Sequence, residues 1–265
     1  MSAWEVYALR YAERAARSRA DSFIFDDNHA APSPMDYFLW VLRRGEEVIL
    51  VDTGYDEGEG RRRDRPILLD PREALKPLGL AAEDVTRVIV THLHYDHAGG
   101  LHLFPNAKLH MQAAEMAYAT GPCMCHGTLR MPFTGDHVCE AVKRLFSGQV
   151  VFHDGDAEIA EGVTVHRIGG HSRGLQCVRV RTGAGWMVLA SDASHYYENF
   201  LRRKPFPIVV DLQDMLDGFG RLEALASERR LIVPGHDPLV TRLFPSTLAP
   251  HVFRLDGGPR GAIPD

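Results

Sequence analysis

Apolar residues along this chain fall into short runs, and several of those runs end on an aspartate or a histidine. "DYFLWVLRRGEEVILVDTG" (36–54) has two apolar runs flanking the turn-like "RRGEE", a pattern that predicts a β-hairpin whose second strand ends at Asp52. "GLQCVRVRTGAGWMVLASD" (174–192) repeats the plan around "TGAG" and ends at Asp192. Between the hairpins, "PREALKPLGL" reads as a helix with an early stop, and "DVTRVIVTHLH" as a buried strand. "NAKLHMQAAEMAYAT" reads as a short strand and then a helix. Beyond the second hairpin, "MLDGFGRLEALAS" has helical spacing and "RRLIVPGHD" reads as a strand running into a loop. No composition break or flexible linker separates the halves. The pattern predicts one α/β domain over residues 1–265, with two β-rich halves and helices outside, a four-layer αββα arrangement.

Composition narrows the function classes. The chain has 265 residues, 45% of them hydrophobic, ample for a large core, and a net charge of −5 with both signs interspersed. No basic block points to nucleic acid; "RRRDR" (61–65) is short enough to be a solvated loop. The N-terminal "MSAWEVYALRYAERAARSRA" has no apolar run long enough for a signal peptide or membrane span. Cys123, Cys125, Cys139 and Cys177 are expected to be reduced thiols in a cytoplasmic protein. The sequence leaves the oligomeric state open, and a homodimer is compatible with it.

The candidate chemistry sits in "THLHYDHAGG" (91–100), where His92, His94, Asp96 and His97 occupy six consecutive positions. His92 and His94, two apart in an extended segment, point the same way. Asp96 and His97 fall in the following turn, and "AGG" lets backbone pass close by. So dense a cluster after an apolar strand points to metal binding, because buried polar groups without partners are expensive. Three further candidates each follow an apolar run where a loop would begin: His171 in "RIGGHSRG", Asp192 in "WMVLASD" and His236 in "LIVPGHD". Seven ligand-type groups exceed the needs of one tetrahedral ion. The count points to two divalent ions with one carboxylate bridging them.

With those residues in view, the sequence resembles the metallo-β-lactamase superfamily. "THLHYDHAGG" matches its H-x-H-x-D-H signature, and "LVDTG", "GGHSRG", "LASD" and "VPGHD" recur in the superfamily's order, covering about residues 36–240. The short tail after His236 and "VPGHDP" make it most similar to the N-acyl-homoserine lactonase branch, the quorum-quenching lactonases. The resemblance implies a metallo-β-lactamase-type sandwich, with His92, His94 and His171 on one ion, Asp96, His97 and His236 on the other, Asp192 bridging, and Asp52 orienting a ligand histidine. Nitrogen and carboxylate ligands suit zinc, and manganese, iron or cobalt also fit.

The implied reaction is the opening of a lactone, an N-acyl-homoserine lactone or another small or heterocyclic one, by a hydroxide bridging the ions. Asp96 would deliver a proton to the leaving alkoxide. One position departs from the branch. The lactonases usually carry a tyrosine three residues after the bridging aspartate, to contact the substrate carbonyl; "DASHYYENF" places His195 there, followed by Tyr196 and Tyr197. The carbonyl contact then falls to His195 or to a displaced tyrosine, Tyr196.

"GPCMCHG" (121–127) offers Cys123, Cys125 and His126 but lacks a partner pair at zinc-site spacing, and reads as a loop over the pocket together with "MPF" (131–133). "FPIVVD" near Phe206 reads as a pocket wall or as core. A glyoxalase II-like thioesterase, or another ester hydrolase of this fold, is the alternative; glyoxalase II carries a long helical extension that is missing here. A β-lactamase would need a zinc-binding cysteine with no clear counterpart, and a flavodiiron reductase would need a flavin domain. A non-catalytic metal-binding scaffold is disfavoured by retention of every ligand and of Asp52.

Overall fold

The structure is a computed structural model and describes residues 3–263. Its frame is two sheets. The larger contains β1 (Glu5–Arg14), β2 (Met35–Arg44), β3 (Glu47–Val51), β4 (Arg87–Ile89), β5 (Lys108–Gln112), β6 (Val150–His153), β12 (Ser246–Thr247) and β13 (Ala249–Arg254), in the order β12-β13-β1-β2-β3-β4-β5-β6. The smaller contains β7 (Ala157–Ala160), β8 (Val163–Arg167), β9 (Gln176–Thr182), β10 (Gly185–Ser191) and β11 (Ile232–Pro234), in the order β11-β10-β9-β8-β7. Both expected hairpins form: β2 and β3 pair antiparallel from Trp40–Val51 to Arg44–Glu47, and β9 and β10 pair from Leu189–Val178 to Gly185–Thr182.

Alternation along the large sheet explains the layers. In β1 and β2, Tyr7, Leu9, Tyr11, Tyr37, Leu39 and Val41 face one core, which also contains residues of the helices α2 (Pro71–Leu75), α4 (Ala113–Ala119) and α6 (Gly135–Phe146). Their neighbours Val6, Ala8, Phe38, Trp40 and Leu42 face a second core shared with β8 to β11 and with α8 (Leu212–Leu225). A strand apolar on both faces is stable only when covered on both; each side chain fully buried this way contributes roughly 1.5–3 kcal/mol. The result is the helix–sheet–sheet–helix sandwich expected from sequence.

The "PREALKPLGL" helix is α2, continued as a tight turn to Leu78 and stopped at Gly79 with φ of +71°. The "DVTRVIV" strand is shorter than its apolar run: pairing in β4 ends at Ile89, and the chain then leaves the sheet toward the histidine cluster. Remaining short helices are α1 (Glu57–Arg62), α3 (Tyr95–Ala98), α5 (Gly127–Arg130), α7 (Tyr197–Leu201) and α9 (Val240–Leu243). The four cysteines are free thiols. Among the described residues no helix is long and apolar enough to cross a membrane.

Candidate metal centre

The candidate ligands gather where strand ends of the two sheets meet. β4 delivers His92 and His94, and α3, which begins directly after His94, turns Asp96 and His97 toward the same volume. The loop after β8 brings His171, the end of β10 brings Asp192, and the loop after β11 brings His236. All of them are buried except Asp96, which is partly exposed. Their donor atoms form interlocking groups, His92–His94–His171, His92–His97–Asp192 and Asp96–His97–His236, each with atoms within 4.8 Å of one another.

Distances divide the cluster in two around Asp192. Its Oδ2 lies 3.2 Å from His171 Nε2 and 3.8 Å from His92 Nε2. Its Oδ1 lies 3.2 Å from His97 Nε2 and 3.0 Å from His236 Nε2. His94 Nδ1 stands 2.9 Å from His171 Nε2, and Asp96 Oδ2 stands 3.9 Å from His97 Nε2 and 3.8 Å from His236 Nε2.

The residues fit divalent ions. His92 Nε2 is buried without a hydrogen-bond partner, and His97 Nε2 and Asp192 Oδ1, also buried, make no well-directed bond and face each other only as an ion pair at 3.2 Å, a costly arrangement unless something else binds them. Burial, reinforced by the neighbouring imidazoles, pushes His92 and His94 well below the ordinary histidine range, so both are neutral, each with one ring nitrogen able to offer a lone pair. Burial alone would lower His97 too, but the carboxylates of Asp192, Asp52 and Asp96 hold it well above that range. Burial opposes ionisation of Asp192, yet the neighbouring imidazoles, His236 and His97 foremost, and the hydrogen bond from His171 hold it well below the ordinary carboxylate range.

Supporting groups orient these atoms. The Asp52 carboxylate accepts from His97 Nδ1 at 2.7 Å, from the Thr91 backbone N–H at 2.7 Å and from the Thr91 hydroxyl at 2.8 Å. Asp52 has φ of +60° and Ser191, just before Asp192, φ of +47°; left-handed backbone at non-glycine residues is strain of the kind concentrated at functional sites. His236 Nδ1 donates to the Asp36 carbonyl at 2.9 Å. Sequence reading found Asp52 but missed Thr91, the Asp36 carbonyl and the buried Glu115, which accepts from Leu93, Ser172 and Gly174. The one signal for Glu115 was an acidic residue inside the apolar stretch "AAEMAYA".

The two candidates for the carbonyl contact part company. His195 is buried, its ring lies 3.9 Å from that of Phe206, and its Nε2 lies 2.9 Å from Asp192 Oδ2. Burial pushes its pKa down to about 3, so it is neutral. Tyr196 is turned elsewhere: its hydroxyl donates to the carbonyls of Ser33 and Pro34, each at 3.3 Å, and its ring packs on Phe23. The structure therefore does not bring Tyr196 to the cluster.

A cavity of about 210 Å³ opens against His94 and His171, walled by Tyr118, Leu129, Pro132 and Ile208 to Val210. Phe133 sets its ring edge 4.6 Å from His94. The "MPF" and "FPIVVD" stretches thus wall the site, while Cys123 and Cys125 belong to a helical turn just before the Thr128–Leu129 wall. A larger cavity, about 420 Å³, opens beside Tyr196 and Asp237, and none of the seven candidate ligands lines it.

The family model for the metallo-beta-lactamase superfamily matches residues 34–241, a span that contains the whole cluster. The chain belongs to the metallo-beta-lactamase superfamily. It is 30% identical over 216 residues to an N-acyl homoserine lactonase of Bacillus cereus, covering 76% of this chain and 80% of that one. It is 27% identical over 226 residues to a probable metallo-hydrolase of Mycobacterium tuberculosis, covering 75% of this chain and 70% of that one. Among solved structures it resembles an N-acyl homoserine lactone hydrolase with the product N-hexanoyl-L-homoserine bound at the catalytic metal center, at a TM-score of 0.73 and 26% identity, over 90% of this chain and 95% of that one. The chain is an enzyme, a metal-dependent hydrolase of this superfamily.

Proposed function

We propose that this metallo-hydrolase opens lactones, with His92, His94 and His171 holding one divalent ion, Asp96, His97 and His236 a second, and Asp192 bridging them. The observation that carries the two-ion reading is Asp192 itself: its two oxygens face different imidazoles, His171 on one side and His97 with His236 on the other. The lactonase relatives support the ester class of substrate. The donor set, imidazole and carboxylate without thiolate, suits zinc.

Held by these residues, two divalent ions would supply a water of lowered pKa and a Lewis acid for an ester carbonyl. The chain's own residues do the rest. Asp52 holds His97 by its Nδ1, so that Nε2, once it gives up its proton, is the nitrogen that would ligate. The Asp36 carbonyl does the same for His236. Asp96, partly exposed, would take the proton that the attacking water gives up on adding to the carbonyl and pass it to the alkoxide leaving the opened ring. His195 is neutral and spends its single N–H on Asp192, as Tyr196 spends its hydroxyl on Ser33 and Pro34, so His195 would meet a substrate carbonyl only by turning that N–H away from Asp192. The walls formed by Leu129, Pro132 and Ile208 to Val210 suit an apolar substituent on the lactone, such as an acyl chain.

A hydrolysis panel tests this. Protein carrying two equivalents of zinc should open γ-lactones with apolar substituents faster than matched linear esters, thioesters or β-lactams. Faster thioester cleavage would replace the reading with a thioesterase. A firm metal content near one equivalent would remove the two-ion reading.

A further inference from the structure

Glu115 lies on α4, outside both loops that bear histidines, yet is fully buried and bonded to both. Its Oε1 accepts from the backbone N–H of Leu93, the residue between His92 and His94, at 2.9 Å. Its Oε2 accepts from the hydroxyl of Ser172, the residue after His171, at 2.7 Å and from the backbone N–H of Gly174 at 2.9 Å. The second loop is pressed directly on the helix: a Cβ at Gly174 would stand 2.2 Å from the Glu115 backbone nitrogen. A buried carboxylate is expensive unless its oxygens are satisfied, and hydrogen bonds to a charged acceptor are the stronger kind. Here that expense ties one oxygen to each of two loops.

We propose that Glu115 is a positioning residue for the first ion, fixing the loop of His92 and His94 relative to the loop of His171. This rests on the reading of those three histidines as ligands of one ion. Neither loop reaches the other's backbone through Glu115 unless both oxygens accept. With them in place, His94 Nδ1 and His171 Nε2, from residues far apart in sequence, come to 2.9 Å. The geometry also explains why the residue is an acid. A glutamine would keep one accepting oxygen and turn an NH2 group toward donors that need an acceptor. The carboxylate adds negative charge behind the ligands as well, which favours a cation in front of them. Outer groups of this kind typically govern metal affinity by about tenfold to a hundredfold.

The test compares wild type, Glu115→Gln, Ser172→Ala and His94→Ala. Zinc and cobalt affinities are measured by chelator competition, alongside the cobalt absorption spectrum and the Tm of the ion-free proteins. Glu115→Gln should weaken one of the two ions by about tenfold to a hundredfold and leave the other unchanged. The weakened ion should be the one that His94→Ala removes. Ser172→Ala, which deletes a single bond, should lower affinity for the same ion by less. Equal affinities for both ions in wild type and Glu115→Gln, with only the Tm lowered, would make the clamp structural and overturn the inference. If Glu115→Gln does not fold, Ser172→Ala decides, and an unchanged first-ion affinity overturns the inference. If wild type binds no ion that His94→Ala removes, the ligand assignment itself fails, a result read without any Glu115 variant.

Discussion

The Nε2 of His195 lies 2.9 Å from Oδ2 of Asp192, so a residue outside the candidate ligands holds the carboxylate oxygen that faces His171. Removing a donor to developing negative charge typically costs about a hundred- to a thousandfold in rate. If the single N–H of His195 turns from Asp192 to the substrate carbonyl during the reaction, His195→Ala lowers kcat in that range with metal content at the wild-type value; a fall in metal content instead would show that His195 serves by holding Asp192. Tyr196→Phe is expected to leave kcat within about twofold and to lower stability by about 1 kcal/mol, the net worth of a lost hydroxyl hydrogen bond. A crippled Tyr196→Phe beside a silent His195→Ala would reverse the assignment.

The Asp52–His97 pair gives a second expectation. Asp52 accepts three hydrogen bonds, one from His97 and two from Thr91. Asp52→Asn keeps the shape but cannot accept from all of those donors. Affinity for the ion on the His97 side should fall about tenfold to a hundredfold, measured by chelator competition. Unchanged affinity would show that the pair does not tune the site.

Ion uptake should release protons. In the ion-free protein the carboxylates around His97 hold its pKa well above the ordinary histidine value, so it carries a proton at neutral pH. A ligand imidazole must give that proton up. Calorimetric titration of the ion-free protein at pH 7 in buffers of different ionisation enthalpy should therefore show release of about one proton on the His97 side. Affinity should rise with pH until the His97 pKa is passed. Buffer-independent enthalpies would contradict the expectation.

Acid should loosen the wall of the site at Glu59. Burial would raise this carboxyl, but hydrogen bonds from Arg62, Arg63 and Thr134 hold it down to about 2. Arg63 also donates to the carbonyls of Met131 and Phe133, so the knot secures the segment that sets Phe133 against His94. A pKa lowered on folding stabilises above the unfolded value, about 4.5 for a glutamate side chain, and that contribution is lost as pH falls toward the folded value. The Tm gap between wild type and Glu59→Gln should be full near pH 6 and shrink steadily below about pH 4.5. A gap that widened in acid would contradict the sign.

Much of the fold and centre was legible in the chain itself because the signals are local. An apolar run of strand length followed by Asp or His describes a strand and a residue at or just beyond its end, and it was enough to single out Asp52, His171, Asp192 and His236 as candidates. H-x-H-x-D-H is dense enough to announce a site before any fold is known. What only tertiary structure decided depends on neighbours remote in sequence. Glu115 looks like one polar residue in a helix until packing places Leu93 and Gly174 over its oxygens. The Asp36 carbonyl belongs to backbone, which carries no sequence signal for a partner two hundred residues away. β4 was read as longer than it is because burial continues past Ile89 although pairing does not. His195 and Tyr196 were indistinguishable as letters. Tyr196 has extended backbone, with φ of −126° and ψ of 157°, and successive side chains in extended backbone point to opposite sides. One therefore meets Asp192 and the other the carbonyls of Ser33 and Pro34.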